Sequence, residues 1–215
     1  MRNRKPFIAV LFMLQALLSP HVAAADFAAD LKHLQDRWAE INYELEGKAK
    51  VTAFGSLVTE ADTLVAAAPD SAEPLIWRGI IKSTYAGAKG GLGALGLAKE
   101  AKADLEKALS MDPEALKGSA FTTLGTLYSR VPGWPVGFGD DEKAEALLKE
   151  ALARNPDGID PNYFMGSFLI EQDRYAEARS FLSKAQNAPA RPGRELADSG
   201  RQREISDALA SIANK

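Results

Sequence analysis

The side chains that most often do chemistry are scarce in this chain. It has no cysteine, and its two histidines are His21 and His33. Without a thiol, a cluster of imidazoles or a Gly-x-Ser-x-Gly elbow, the usual nucleophile, triad and zinc arrangements have nothing to be built from. His33 falls in a helical pattern and reads as an ordinary, partly exposed residue. Carboxylates are abundant, 29 Asp and Glu, which leaves paired acids as the one catalytic chemistry with residues to run it. Gly91-x-Gly93-x-x-Gly96 has the spacing of a dinucleotide-binding turn. That turn works only where a strand feeds a helix and an acid ends the next strand. Here helical sequence precedes it and no strand follows, so a close-packed, flexible or apolar connection accounts for the glycines. Asp157, Asp160 and Asn162 offer oxygens on one short segment, but the alternating acids and closing Glu of a calcium loop are missing. Turn and cap chemistry explains that segment, with Asp160 as N-cap and Pro161 at the first helical position. The reading is a protein that is not an enzyme and needs no metal or cofactor.

Two segments look more like binding elements. Val131-Pro-Gly-Trp-Pro-Val-Gly-Phe-Gly-Asp-Asp141 cannot be helical, with two prolines and three glycines. It carries Trp134 and Phe138 on a connection that is normally short, and loops on rigid scaffolds tend to carry binding. Both rings either face a groove or plug the core. Asp140 and Asp141 suit the cap of the following helix. Arg191-Pro-Gly-Arg194 would set two guanidinium groups at the mouth of a groove, for an anionic ligand or a partner carboxylate. Surface salt bridges are the alternative.

The elements that must position these residues show an internal repeat. Ala101-x6-Ala108-x4-Pro113, Ala144-x6-Ala151-x4-Pro156 and Ala178-x6-Ala185-x3-Pro189 share one grammar. Alanines seven apart lie on one helix face, Leu105, Leu148 and Leu182 sit between them, and proline ends each helix. Ala151 to Ala185 is 34 residues, the tetratricopeptide period. Each of these would be the second helix of a pair. The first helices fall within Leu75 to Ala86, Ala115 to Arg130 and Pro161 to Gln172, with Gly79, Gly125 and Gly166 where the two helices cross, and the first two pairs lengthened by inserts. The fold class is therefore all-α, a short solenoid of antiparallel tetratricopeptide-type helix pairs at about 73–113, 114–156 and 160–189. Leu31, Leu34, Trp38, Ile41 and Leu45 mark an amphipathic helix before them, a second runs from about Val51 to Ala68, and a polar-faced capping helix is expected at about 193–213.

Residues 1–25 read as a cleaved export signal: Arg2, Arg4 and Lys5, an apolar run from Phe7 to Leu18, Pro20, then Ala23-Ala24-Ala25. The expected product is a single helical domain over 26–215, periplasmic or secreted. The chain lacks the cysteine that a lipid anchor needs, and no later segment reads as membrane-spanning. Removing Arg2, Arg4 and Lys5 leaves 23 cations against 29 acids, a net charge of about −6, which does not favour nucleic acid.

Gly91 to Gly200 resembles the T-component (TatT-like) family of tripartite ATP-independent periplasmic (TRAP) transporters. The resemblance is carried by Val131 to Asp141, by Asn155-Pro-Asp-Gly158 with Tyr163-Phe164, and by Ala188-Pro-Ala-Arg-Pro-Gly-Arg194. It implies a periplasmic helical scaffold that associates with a solute-binding protein and offers a pore or cavity for an apolar or organic-acid ligand. The expected function is thus a soluble periplasmic binding or adaptor protein, with Trp134, Phe138 and Tyr163 lining a groove and Arg191 and Arg194 at its rim. The alternative is a structural cell-envelope scaffold with no small-molecule ligand.

Overall fold

A computed structural model describes the chain from Pro20 to Lys215, and its side chains from Phe27 onward except that of Leu92. The expected export signal lies outside the described residues, apart from Pro20 to Ala25, which open the first helix. The order is α1 (Pro20–Glu44), α2 (Gly47–Ala67), α3 (Ala72–Lys89), α4 (Gly91–Met111), a 3-10 turn (Ala115–Gly118), α5 (Ser119–Arg130), α6 (Asp141–Arg154), α7 (Ile159–Glu171), α8 (Tyr175–Gln186) and α9 (Glu195–Ser211). Among the described residues there is no strand, and no helix is long and apolar enough to cross a membrane.

The repeat grammar has a direct steric reading. A Cβ on Gly79 would sit 2.7 Å from Leu105 Cγ, one on Gly125 2.9 Å from Leu148 Cγ, and one on Gly166 2.7 Å from Leu182 Cγ. In all three pairs the leucine of the second helix is driven against the bare backbone of the first, and the alanine preceding that leucine by four residues brings its carbonyl to 3.2–3.4 Å of the same point. All three leucines and the alanines around them are fully buried. This is ridge-into-groove packing with the groove deepened by a missing side chain.

The connection inside the first pair corrects the sequence reading. Only Gly90 and Gly91 turn, with φ of +62° and +61°, and the remaining glycines are helical in α4. Ala94, Leu95 and Leu97 are good helix formers and outweigh two interior glycines at about 1 kcal/mol each. The first pair is therefore long because its helices are long. The middle insert does remain a loop over residues 131–140, and Asp140 caps α6 by accepting from the Lys143 N–H at 3.0 Å. α7 begins earlier than expected: Gly158 is its N-cap, and Asp160 lies inside its first turn, which frees the Asp160 carboxylate for contacts elsewhere.

The expected capping helix does more than cover an end. α9 packs on α7 and α8 through Ile205 and Ile212, while Ala197 joins the core formed by α1, α2 and α3. A Cβ on Gly200 would lie 2.5 Å from the Tyr43 ring of α1, so glycine is what allows α9 to seat there. With α1, α3, α5 and α7 adjacent in series, α9 closes the inner layer of the solenoid into a ring.

Candidate functional site

That ring surrounds a cavity of about 930 Å³ that stays partly open to solvent. Its wall is built from the inward faces of α1, α3, α5, α7 and α9. Trp38 and Trp77 meet edge to face at 6.1 Å on one side, and Tyr163 and Phe164 at 5.1 Å on the other. Between them α5 contributes Thr122, Thr123 and Thr126, spaced so that one helix face is hydroxylated. Leu116 and Lys117 also reach the cavity, from left-handed backbone at φ +49° and +55° followed by Gly118 at +74°. Two consecutive non-glycine residues in that region cost roughly 1–2 kcal/mol each and persist only where packing over-determines them.

Charge is concentrated where α9 meets α7 and α1. Asp160 accepts from Arg191 Nη1 at 2.6 Å and from Arg201 Nε at 2.9 Å. Arg191 also donates to Asp198, Arg201 also pairs with Glu204, and the Tyr43 hydroxyl reaches Glu204 at 3.4 Å. The Arg201 guanidinium lies over the Tyr163 and Phe164 rings at 4.4 and 4.6 Å. Burial works to raise the Asp160 carboxyl, but the charges of Arg201 and Arg191 and the Arg191 hydrogen bond overcome it and hold it at about 2. Burial works to lower Arg201, yet Asp160, Tyr43 and Glu204 raise it above its ordinary value. Burial pushes the Tyr43 hydroxyl well up. Asp160 and Arg201 are thus both charged at neutral pH, and the cluster is a clasp between three helices. Elsewhere the lining adds Lys50, Lys117, Arg130 and Arg194 against Asp157, so the cavity is cationic in a protein whose formal charge is −3.

The structure brings Tyr163, Arg191 and Arg194 together on this cavity and leaves Trp134 and Phe138 outside it. The shared groove expected from sequence is corrected on that point. The 131–139 loop folds back on itself, with Gly139 N–H donating to the Pro132 carbonyl at 3.0 Å and a Gly139 Cβ excluded by the Val131 carbonyl. Phe138 packs edge-on to Tyr128 at 5.3 Å, beside Lys102 of α4, and joins the core. Trp134 is 90% exposed and Val136 beside it 63%. The alternatives of groove and core thus divide, since Phe138 is partly buried in the core and Trp134 is in neither place. Trp134→Ala is therefore expected to change unfolding free energy by less than ~0.5 kcal/mol. Phe138→Ala should cost on the order of 2 kcal/mol, below the value for a fully enclosed ring, and urea melts of both variants measure this.

Asp157, Asp160 and Asn162 do not converge: Asp157 pairs with Lys184, Asp160 faces the clasp, and Asn162 donates to the Pro156 and Gly158 carbonyls. No metal-binding cluster occurs among the described residues. Arg201, Tyr43, Trp38 and Trp77 are lining residues that sequence reading did not single out. A signal for Arg201 was present, because Arg194, Ala197, Asp198, Arg201 and Ile205 recur at three- and four-residue steps along α9.

Sequence profiles described as tetratricopeptide repeat match residues 137–194 and 92–114. The helix pairs have the tetratricopeptide-type fold, and the matches fall on α4 and on the stretch from α6 to α8. A solved thermophilic tetratricopeptide-repeat protein of Thermus thermophilus shares the fold, with a TM-score of 0.56 at 18% identity, covering 86% of this chain and 99% of its own. No curated protein matches the chain. The longer match begins inside the 131–141 loop and ends at Arg194, so the tetratricopeptide grammar stops where α9 begins and the closing helix lies beyond it.

Proposed function

We propose that this protein is an exported, periplasmic binding adaptor, in which a tetratricopeptide ring holds a ligand inside while its outer surface meets a protein partner. The observation that carries the reading is the seating of α9 on α1, which walls the concave face of a helical solenoid on all sides around a partly open cavity of about 930 Å³. That volume lies in the range of pockets that bury small organic ligands, and aromatic walls with a few placed charges are their usual lining. Tetratricopeptide repeats also support a protein-interaction role, and the Arg2 to Ala25 pattern supports export.

The partner proposed is the solute-binding subunit of a TRAP-type transporter, on the strength of the sequence resemblance over Gly91 to Gly200. A second reading, a cell-envelope scaffold without a small ligand, is favoured by Trp134, since a fully exposed indole beside an exposed valine is a partner-contact feature. Expression of the full chain with an affinity tag in a bacterium that encodes a TRAP system tests the adaptor reading. The expected result is recovery from the periplasmic fraction together with the solute-binding subunit. Recovery from the cytosol, or capture without that subunit, would count against it.

A further inference from the structure

Of the three arginines on the α9 side of the cavity, Arg194 alone has no carboxylate partner among the described residues. Arg191 is held by Asp160 and Asp198, and Arg201 by Asp160 and Glu204. Arg194 makes one hydrogen bond, to Gln35 Oε1 at 3.2 Å, and lies over the Trp77 ring at 5.1 Å. Most of its five donors are therefore uncommitted. Burial and the neighbouring charge of Arg191 act against it more strongly than Asp160, Asp198 and Asp36 favour it, and its guanidinium is the one of the three held below its ordinary value. The Trp77 indole N–H beneath it is buried and has no partner. Trp38, edge-on to Trp77, and Ile80 extend an apolar shelf from the same point.

Resting on the reading that the cavity holds a small ligand, we infer that Arg194 is an anion subsite that takes the single carboxylate of an organic acid, whose apolar body lies against Trp77 and Trp38. A planar carboxylate matches the guanidinium fork and would relieve the uncompensated charge. Only one such cation is left over at this end, because Arg191 and Arg201 are occupied, so one carboxylate is favoured over two. The indoles suit a flat or hydrocarbon body, which an ion without one would leave uncovered.

Calorimetric titration with 3-phenylpropanoate and its uncharged amide, 3-phenylpropanamide, tests this. The wild-type protein is expected to bind the acid about tenfold more tightly than the amide, one charge-assisted contact's worth. Arg194→Gln should abolish that preference and leave the amide unchanged, whereas Arg194→Lys should keep part of it. Lys149→Gln, on the outer surface, should leave both affinities as they are. Raising salt should weaken the acid alone. Equal binding of acid and amide by the wild type, or a preference that survives Arg194→Gln, would overturn the subsite and leave the ligand-holding cavity intact. Failure of both compounds to bind the wild type would overturn both.

Discussion

Asp160→Ala is expected to destabilise the protein by about 3 kcal/mol, because it leaves two guanidinium groups packed at a helix junction with nothing between them. Removing one partner of a buried ion pair generally costs about 3–5 kcal/mol. The lower end applies because the cavity leaves the carboxylate 31% exposed while Arg201 is only 8% exposed. Arg201 would keep Glu204 and Arg191 would keep Asp198, but both cations lose the group that ties α9 to α7. Asp160→Asn keeps an acceptor of the same shape and should lose the charge contribution alone. The pH dependence has a definite sign. With the native carboxyl at about 2 and the unfolded one near ~3.9, folding favours the ionised form. The stabilisation is complete above pH ~4 and is lost as pH falls through about 2. The unfolding free energies of wild type and Asp160→Asn, measured in urea, should therefore differ by a constant amount at neutral pH, and by progressively less in acid.

The second large effect is on binding. Ser83 on α3 and Thr126 on α5 both line the cavity and are half-buried. Ser83→Trp combined with Thr126→Trp would project two indoles into space that a ligand must occupy. Pocket ligands bury most of their surface, so room lost between these walls costs contact area. Affinity for the natural occupant is expected to fall at least about tenfold, with helical content retained, because neither position faces the repeat core. A scaffold whose interior is idle would tolerate the same pair with no functional change.

Much of the fold was legible in the sequence because it depends on size at fixed intervals. Ala101, Ala144 and Ala178, each followed seven residues on by another alanine, mark the faces that a neighbouring helix must approach, and Gly79, Gly125 and Gly166 mark where it does. The glycine run at 90–96 misled because composition does not say which glycines use positive φ. Only Gly90 and Gly91 do. The closing helix was legible as a helix but not as a wall, since its inward face carries Arg201 and Glu204, residues that hydropathy assigns to solvent. Their partners come from positions far off in sequence, Asp160 and Tyr43, and only the ring brings them together. Arg191, Arg194 and Tyr163, chosen by residue type, line one cavity. Trp134 and Phe138 were misplaced because an aromatic loop has the same sequence signature on either side of a helix, and the fold of this one was set by Gly139 and by the ladder from Gly139 to Pro132.

A ring that holds a ligand should keep it through gentle isolation. Native mass spectrometry of the protein isolated without denaturation from the envelope of its own cells tests this directly. The expected result is a bound organic mass on the wild-type chain that is absent from the Ser83→Trp/Thr126→Trp protein prepared in parallel. A wild-type chain that carries no added mass, or an equal mass on both proteins, would contradict it.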